Sequence, residues 1–363
     1  MKSYNHLWKK FLTEENCRKA IEKASKGKRH KKYVKPVFEN MEEYIPRLMK
    51  LARDFKSEQH TPKIIYDGIQ RKQRSIIVPY FHEQVIHHMA MNVLIPIMRK
   101  GMYEHSYASM PNRGVHKGKK VVEKWIRKDP RNVKYCLKLD IRKYFESVDT
   151  TILKSMFHKV VRDENFLAVL DTVIDSVDNG LPLGFYTSQW FANYYLTGFD
   201  HFVKEQLKAK YYIRYMDDIV IFGSSKRKLH KLFNSIKYYL KSTLNLEVKS
   251  NWQIFRFSYI KNGMNIGRDL DFMGFRFYGN RTTMRRSIMM KATRKARNIK
   301  KKGAPNIYDA RQMLSYLGWL KCTDTYGMYL KHIKPYVNFK SIRNKVSRND
   351  RRKNYVEKIT VQR

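Results

Sequence analysis

The chain has 363 residues, with 75 Lys and Arg against 32 Asp and Glu, and therefore a formal net charge of +43. A hydrophobic content of 42% with 13% aromatic residues is enough for a sizeable buried core, and this excludes a disordered chain. So large a positive charge would repel itself in a compact state unless the usual partner were a polyanion, which makes nucleic acid the leading candidate.

The distribution of apolar residues and cysteines excludes a membrane-spanning protein and a disulfide-stabilised one. The most apolar stretch, residues 85–98, contains His87 and His88 and is shorter than the ~20 residues that a spanning helix needs. No apolar signal core follows the basic N-terminus, so we expect a cytoplasmic protein with no membrane partner. The cysteines are three in number and far apart, which fits neither a disulfide framework nor a zinc pattern.

The N-terminal third is predicted to be helical and then mixed. Residues 1–60 read as a basic helical extension. Within residues 61–130, β-branched residues at 76–78 predict a strand that Pro79 stops, and a helix over 81–98 is expected to be interrupted near Pro96.

The middle of the chain alternates strands with helices. Apolar residues at every second position over 133–139 predict a half-buried strand that ends at Asp140. A four-residue apolar spacing over 188–207 predicts a helix. Apolar runs at 211–213 and 219–222 flank Tyr215-Met216-Asp217-Asp218, which predicts a hairpin with acids at its tip. A helix over 226–244 and a strand over 271–278 are expected to follow.

The C-terminal segment, residues 281–363, holds 23 Lys and Arg against 4 Asp and Glu. Its apolar spacing predicts basic amphipathic helices that could track a phosphate backbone.

Carboxylates stand at two strand ends in a chain that has few acids. Asp140 ends one strand, and Asp217 and Asp218 occupy the hairpin tip. Clustered carboxylates raise each other's pKa unless cations neutralise them, so such a group favours divalent metal. Two Mg²⁺ ions, with Mn²⁺ as an alternative, can activate an attacking hydroxyl and stabilise the leaving oxygen of a phosphoryl transfer. Ordinary turns also carry acids, so the pair alone does not decide between the two interpretations.

The sequence around these acids resembles the reverse transcriptase family. Residues 139–145 (LDIRKYF) are similar to its first catalytic motif, 215–218 (YMDD) to its best-known tetrapeptide, and 180–189 (GLPLGFYTSQ) to its template- and nucleotide-positioning loop. Residues 246–249 (LEVK) and 271–275 (DFMGF) resemble the later palm motifs, whereas 74–79 (RSIIVP) and 106–113 (SYASMPNR) resemble fingers motifs. The resemblance runs from about residue 60 to about 345, with the motifs in the family's order.

The resemblance implies the fold class and the domain limits. We expect an α+β right-hand polymerase with fingers over 61–130, a palm with an antiparallel sheet over 131–280 that has some fingers elements interleaved, and a basic helical thumb and tail over 281–363.

It also implies a catalytic centre. Asp140 and Asp217 would hold both metals, assisted by the backbone carbonyl of Ile141, and Asp218 would complete the acidic site. Lys249 is a candidate acid for protonating the leaving pyrophosphate.

The resemblance assigns further residues to the nucleotide and the primer. Phe145 falls where the family has a bulky ring that blocks a ribose 2′-hydroxyl, and Gly184 would let backbone approach the incoming base pair because it has no Cβ. Arg74 would meet the triphosphate as a bidentate cation. The nucleotide-binding set is Arg71, Lys72, Arg74, Phe145, Leu183, Gly184, Ser188, Gln189, Tyr215 and Met216, and the primer-grip set is Phe272, Met273 and Gly274.

The loop at Leu183-Gly184 and Ser188-Gln189 resembles the enzymes of diversity-generating retroelements, which copy a template RNA with frequent errors at adenines. Because Leu183 stands where group II intron enzymes have an amide, the site would check base-pair geometry less strictly. The alternatives are a phage-defence, retron or group II intron-like reverse transcriptase and, more remotely, a catalytically inactive RNA-binding protein. Expected partners are template RNA, the cDNA primer or product, deoxynucleoside triphosphates and a small basic accessory protein.

Overall fold

The structure, a computed structural model, describes residues 3–67 and 72–361. The helices are α1 Leu7–Phe11, α2 Glu14–Ser25, α3 Lys35–Glu39, α4 Met41–Arg53, α5 Phe81–Gly101, α6 Val115–Lys128, α7 Tyr144–Ser147, α8 Thr150–His158, α9 Glu164–Ile174, α10 Tyr186–Tyr195, α11 Thr197–His201, α12 Lys226–Leu244, α13 Arg286–Lys301, α14 Ile307–Lys321, α15 Tyr326–His332 and α16 Phe339–Val361. A π-helical turn, Phe202–Gln206, follows α11. The strands are β1 Lys63–Asp67, β2 Lys72–Ile76, β3 Tyr135–Asp140, β4 Tyr211–Tyr215, β5 Asp218–Gly223, β6 Gln253–Arg256, β7 Tyr259–Lys261, β8 Met264–Ile266, β9 Leu270–Phe272, β10 Phe275–Phe277 and β11 Thr282–Met284.

The chain divides into two compact units. The first combines the residues up to Gly114 with Leu137–Ile254, and the second combines Val115–Cys136 with the residues from Phe255 onward. The boundaries fall at the start of α6, within β3 and within β6. The chain combines α-helices with antiparallel strand pairs and is therefore α+β, as predicted.

The first unit is built on a four-stranded sheet in the order β4-β5-β3-β6. The β4–β5 hairpin pairs Tyr211 with Phe222 and closes at Tyr215 opposite Asp218. The interiors of both hairpin strands are buried, because their β-branched and aromatic side chains fit a covered pleated surface. The predicted hairpin, the strand ending at Asp140 and the helix over 226–244 are confirmed.

Two predicted helices of this unit differ from the structure. The helix over 81–98 continues through Pro96 to Gly101. A proline removes one N–H donor, and burial of Leu94 and Met98 on either side of it offsets that loss. The helix over 188–207 is instead divided into α10, α11 and the π-helical turn. Apolar spacing reports which residues are buried, and it carries no information on a change of hydrogen-bonding pattern.

The predicted strand at 76–78 ends earlier. Strand β2 ends at Ile76 because its partner strand β1 begins at Lys63, which lies opposite Ile76. Ile77 leaves this pairing and donates its N–H to the carbonyl of Leu183 at 2.7 Å. This hydrogen bond joins the β2 segment to the loop that precedes α10.

The second unit contains the sheet β11-β10-β9 and the helices α13 to α16. The predicted single strand over 271–278 is wrong, since Met273 (φ 51°) and Gly274 (φ 86°) turn the chain between β9 and β10. The predicted C-terminal helices are present, and their apolar faces form one core. That core includes Ala292, Ala296, Met313, Ile333 and Ile342. Within the described residues, no helix combines the length and apolar character needed to cross a membrane.

Candidate active site

The β4–β5 turn consists of Met216 and Asp217. Met216 has a φ of 57°, and its side chain is only 5% exposed. A left-handed conformation costs a residue with a Cβ roughly 1–2 kcal/mol. The surrounding structure must therefore hold this turn in place.

A buried ion pair supplies that support. Arg214 donates from Nη1 to the carbonyl of Met216 at 3.0 Å, and from Nε and Nη2 to the two carboxylate oxygens of Asp200 at 2.8 and 2.6 Å. Both side chains are 1% exposed. Tyr212 donates its hydroxyl to the same carboxylate, and Asn193 accepts a second hydrogen bond from Arg214 at 3.2 Å. The guanidinium thus joins the turn to a fully paired network, which is the condition under which a buried charge is tolerated.

The turn places Asp217 beside Asp140, which ends β3. Burial raises the pKa of Asp217 to about 6, and the charge of Asp140 and a hydrogen bond with its carboxyl act in the same direction. A divalent cation bound beside two such carboxyl groups would favour their ionised form. The predicted convergence of these two acids is present in the structure.

Lys249 lies next to this pair. Its backbone N–H donates to the carbonyl of Asp140 at 2.8 Å, and its Nζ donates to the Asp140 carboxylate at 3.4 Å. Arg142 donates its N–H to the carbonyl of Glu247 at 2.8 Å, so Ile141 and Val248 between these bonds form a non-hydrogen-bonded pair. The carbonyl of Ile141 is consequently directed away from the 246–249 segment.

Asp218, the first residue of β5, faces a lysine of the neighbouring strand. Its carboxylate is 3.8 Å from Nζ of Lys138 on the neighbouring strand β3. Over the described ranges, no group of three or more His, Cys, Asp and Glu side chains is arranged to hold a metal ion. The structure thus brings Asp140 and Asp217 together, and Asp218 forms an ion pair with Lys138.

The loop before α10 has two glycines at positions where the backbone of another segment leaves no room for a Cβ. A Cβ on Gly180 would lie 2.3 Å from the carbonyl oxygen of Phe145, and one on Gly184 would lie 2.2 Å from that of Ile77. Both residues also have positive φ, at 69° and 117°. The close approach at Gly184 is therefore made by Ile77 of this chain, which the sequence did not reveal. Leu183, half-buried, accepts the hydrogen bond from Ile77.

Phe145 is half-buried at the start of α7, and its carbonyl accepts the N–H of Leu181 at 2.7 Å. The preceding Tyr144 is buried and donates its hydroxyl to the carbonyl of Ala192 on α10. These contacts hold the turn that carries Phe145 against the loop that contains Gly180 and against α10.

Two polar residues of α10 differ in their environment. Ser188 is 1% exposed, and among the described residues its hydroxyl has no hydrogen-bond partner. Gln189 accepts a hydrogen bond from the Ser109 hydroxyl at 2.8 Å. Gln189 thereby connects α10 to the 106–113 segment.

The predicted triphosphate contacts are only partly described. Arg74 is exposed on β2. Arg71 lies outside the described residues, and only the backbone of Lys72, at the start of β2, is described. Tyr215, half-buried, ends β4 next to Met216.

The predicted primer-grip residues form the β9–β10 turn of the second unit. Phe272 is fully buried and Met273 is 6% exposed. A Cβ on Gly274 would lie 2.7 Å from the ring of Trp319 on α14, and its carbonyl accepts the N–H of Arg285 at 2.9 Å. The turn is therefore packed against the helices of its own unit.

Sequence reasoning missed the support of the hairpin turn by Arg214, Asp200 and Asn193. A signal was available in the first of these, because an arginine inside an apolar strand must be paired if it is buried. The sequence does not show which of the chain's acids is the partner.

A strand end and a hairpin turn that bring two carboxylates together, beside a lysine and a glycine-dependent loop, define the palm of a nucleotide polymerase. The model of the reverse transcriptase (RNA-dependent DNA polymerase) family matches residues 63–276, which is more than half of the chain. The chain belongs to this family, and membership confirms the predicted right-hand polymerase class.

The comparisons also identify relatives and solved structures. Retron Ec73 reverse transcriptase from Escherichia coli is 24% identical over 181 residues, which are 46% of this chain and 55% of the relative. Apo telomerase from Candida tropicalis is 13% identical, with a TM-score of 0.47, over 70% of this chain and 51% of that one. Telomerase from Candida albicans in complex with a fragment of telomeric RNA is 11% identical, with a TM-score of 0.47, over 78% and 58%. This chain spans about half the length of these proteins.

Proposed function

We propose that the protein is an RNA-directed DNA polymerase that extends a primer on an RNA template with deoxynucleotides. The observation that carries the proposal is the Asp140–Asp217 pair, held at the end of β3 and on a clamped hairpin turn in a chain of net charge +43. A protein that only binds a polyanion has no physical need for facing carboxylates, since they repel phosphate.

The donor set fits divalent cations. Asp140 and Asp217 offer the hard oxygen ligands that Mg²⁺ and Mn²⁺ prefer, and a bound cation would offset their mutual repulsion. The carbonyl of Ile141 is a further candidate ligand, and Asp218 would complete the acidic site. Such ions supply activation of the primer hydroxyl and charge stabilisation at the transferred phosphoryl group.

The residues of the chain supply orientation and proton transfer. Lys249, whose Nζ is hydrogen-bonded to Asp140, would deliver a proton to the departing pyrophosphate. Arg74 would bind the triphosphate as a bidentate cation. Phe145 would exclude a ribose 2′-hydroxyl, and the loop around Gly184 would position the incoming base pair.

Primer extension on an RNA template with Mg²⁺ and the four deoxynucleotides tests this proposal. Asp217→Asn should abolish synthesis while leaving template binding intact, because the change removes one ligand and adds no bulk. Asp178→Asn makes the same chemical change at an exposed site and should leave synthesis unchanged. Full synthesis by Asp217→Asn would contradict the assignment.

For the subtype, we propose the error-prone enzyme of a diversity-generating retroelement. The supporting feature is the aliphatic Leu183, whose backbone carbonyl accepts the N–H of Ile77 and whose side chain has no amide for hydrogen bonding. Sequencing of the cDNA should show errors concentrated at template adenines. The second candidate is a retron-type enzyme, because the chain is 24% identical to the retron Ec73 reverse transcriptase. Equal accuracy at all four bases would favour that candidate.

A further inference from the structure

The second unit contains a cavity of about 490 Å³ to which the polymerase site gives no role. It lies between the segment from Ile126 to Lys134 and the segment from Arg256 to Ile260, with Gly279 at one side. Asp140 and Asp217 belong to the first unit and do not line it. Its volume is within the range of small-molecule sites in proteins, which is roughly 300–1,000 Å³.

The interior of the cavity is apolar and aromatic. Ile126, Val133 and Phe257 are buried in its wall, and Tyr259 is half-buried beside them. Buried apolar walls exclude water from a flat ligand and favour stacking over solvation.

Cations lie over aromatic rings at the cavity, where Lys134, Arg256 and Tyr259 are lining residues and Tyr135 lies behind them. The guanidinium of Arg256 lies 4.7 Å from the ring centre of Tyr259 and 5.3 Å from that of Tyr135. Nζ of Lys134 lies 5.8 Å from the Tyr135 ring. Aromatic rings and guanidinium planes are the surfaces on which unpaired bases stack in RNA-binding proteins.

The mouth of the cavity is positively charged. Arg131 and Lys134 are exposed lining residues, and Arg256 is half-buried. The residues that line the cavity, all of them in the described part of the chain, include no carboxylate. Apolar walls with a cationic rim match a ligand that has a flat ring at one end and a phosphate at the other.

We propose that this cavity binds one unpaired nucleotide of an RNA strand, with the base against Tyr259 and Arg256 and the phosphate at Arg131 and Lys134. This goes beyond nucleotide addition, because it gives the protein a second RNA contact that does not use the paired carboxylates. An acidic peptide would match the charge of the rim but would make no use of the stacked rings.

Photo-cross-linking of the full-length protein to an oligouridine that carries one 4-thiouridine tests the proposal. Moderately high salt suppresses contacts that depend on charge alone, and mass spectrometry locates the adduct. We expect adducts at Phe257 or Tyr259. Tyr259→Ala should reduce their yield about tenfold, since a stacked base contributes ~1–3 kcal/mol and a tenfold change corresponds to 1.4 kcal/mol.

Matched variants distinguish RNA binding at this cavity from RNA binding elsewhere on the protein and from polymerase activity. Tyr326→Ala removes a ring that is 69% exposed in the same unit and should not change the yield. Arg131→Glu alters only an exposed side chain, so the test remains valid if Tyr259→Ala fails to fold, and it too should lower the yield. Asp217→Asn should keep the adducts, so that failure of the polymerase proposal is distinguished from failure of this one.

Two outcomes would overturn the proposal. One is an unchanged adduct yield in Arg131→Glu and in folded Tyr259→Ala. The other is suppression of adduct formation by oligoglutamate, added before irradiation, at lower concentrations than by unlabelled oligouridine, which would assign the cavity to an acidic protein segment.

Discussion

Replacement of Arg214 by lysine tests whether the buried ion pair holds the catalytic turn. Lysine keeps the charge beside Asp200, but one ammonium group cannot reproduce the four directed hydrogen bonds of the guanidinium. The bond to the carbonyl of Met216, at 3.0 Å, is therefore lost or exchanged for one to Asp200. Met216 then keeps its left-handed backbone without the hydrogen bond that stabilises it.

The magnitude follows from these contacts. A hydrogen bond from a charged donor contributes about 1.5–3 kcal/mol, so Arg214→Lys should lower the free energy of unfolding by about that amount. Arg214→Met leaves Asp200 buried without its partner and should cost about 3–5 kcal/mol. Because Asp217 directly follows Met216, a displacement of about 1 Å should lower kcat by up to ~100-fold, with little change in the KM for primer-template.

Urea denaturation and steady-state primer extension measure the two effects separately. Rates are compared under conditions in which both proteins are fully folded, so that loss of stability cannot be mistaken for loss of catalysis. Arg227→Lys, on the exposed face of α12, is the matched control. A kcat for Arg214→Lys within twofold of the parent value would show that the turn does not depend on this guanidinium.

The remaining predictions concern a glycine, an aromatic ring and a buried histidine. Gly184→Ala should abolish activity or folding, because its Cβ would lie 2.2 Å from the carbonyl oxygen of Ile77, whereas Gly318→Ala on α14 meets nothing within 4 Å and should be tolerated. Phe145→Ala should increase incorporation of ribonucleotides relative to deoxynucleotides in single-nucleotide extension, and an unchanged ratio would remove Phe145 from sugar selection. Burial lowers the pKa of His87 to about 3. Below about pH 6.5 this histidine therefore binds a proton in the unfolded chain but stays neutral in the folded chain. The free energy of unfolding, measured by urea titration, should then fall with decreasing pH more steeply in the parent than in His87→Leu, by about 1.4 kcal/mol per pH unit. Parallel pH dependences of the two proteins would contradict this.

Local patterns predicted the elements that carry the acids. Apolar residues at every second position over 133–139 have the period of a strand, and two apolar runs flank the acids of the β4–β5 hairpin, so the positions of Asp140 and Asp217 followed from the sequence. The helix α12 was predicted with its observed limits because its apolar face repeats at helical spacing between a serine N-cap and Asn245.

Features that depend on contacts distant in sequence were not predicted. Gly184 was assigned to the incoming base pair, but the atom nearest to its missing Cβ belongs to Ile77, more than 100 residues earlier. The orientation of Asp218 towards Lys138 likewise depends on the order of strands in the sheet. The turn at Met273 and Gly274 was missed because apolar residues on both sides imitate a continuous strand.

Templated DNA synthesis should require Asp140 and Asp217 to act together. The most direct measurement is primer extension on an RNA template by the parent, by Asp217→Asn and by Asp178→Asn, with template binding measured on the same preparations. We expect synthesis by the parent and by Asp178→Asn, and loss of synthesis with intact binding for Asp217→Asn. Equal extension by all three proteins would contradict it.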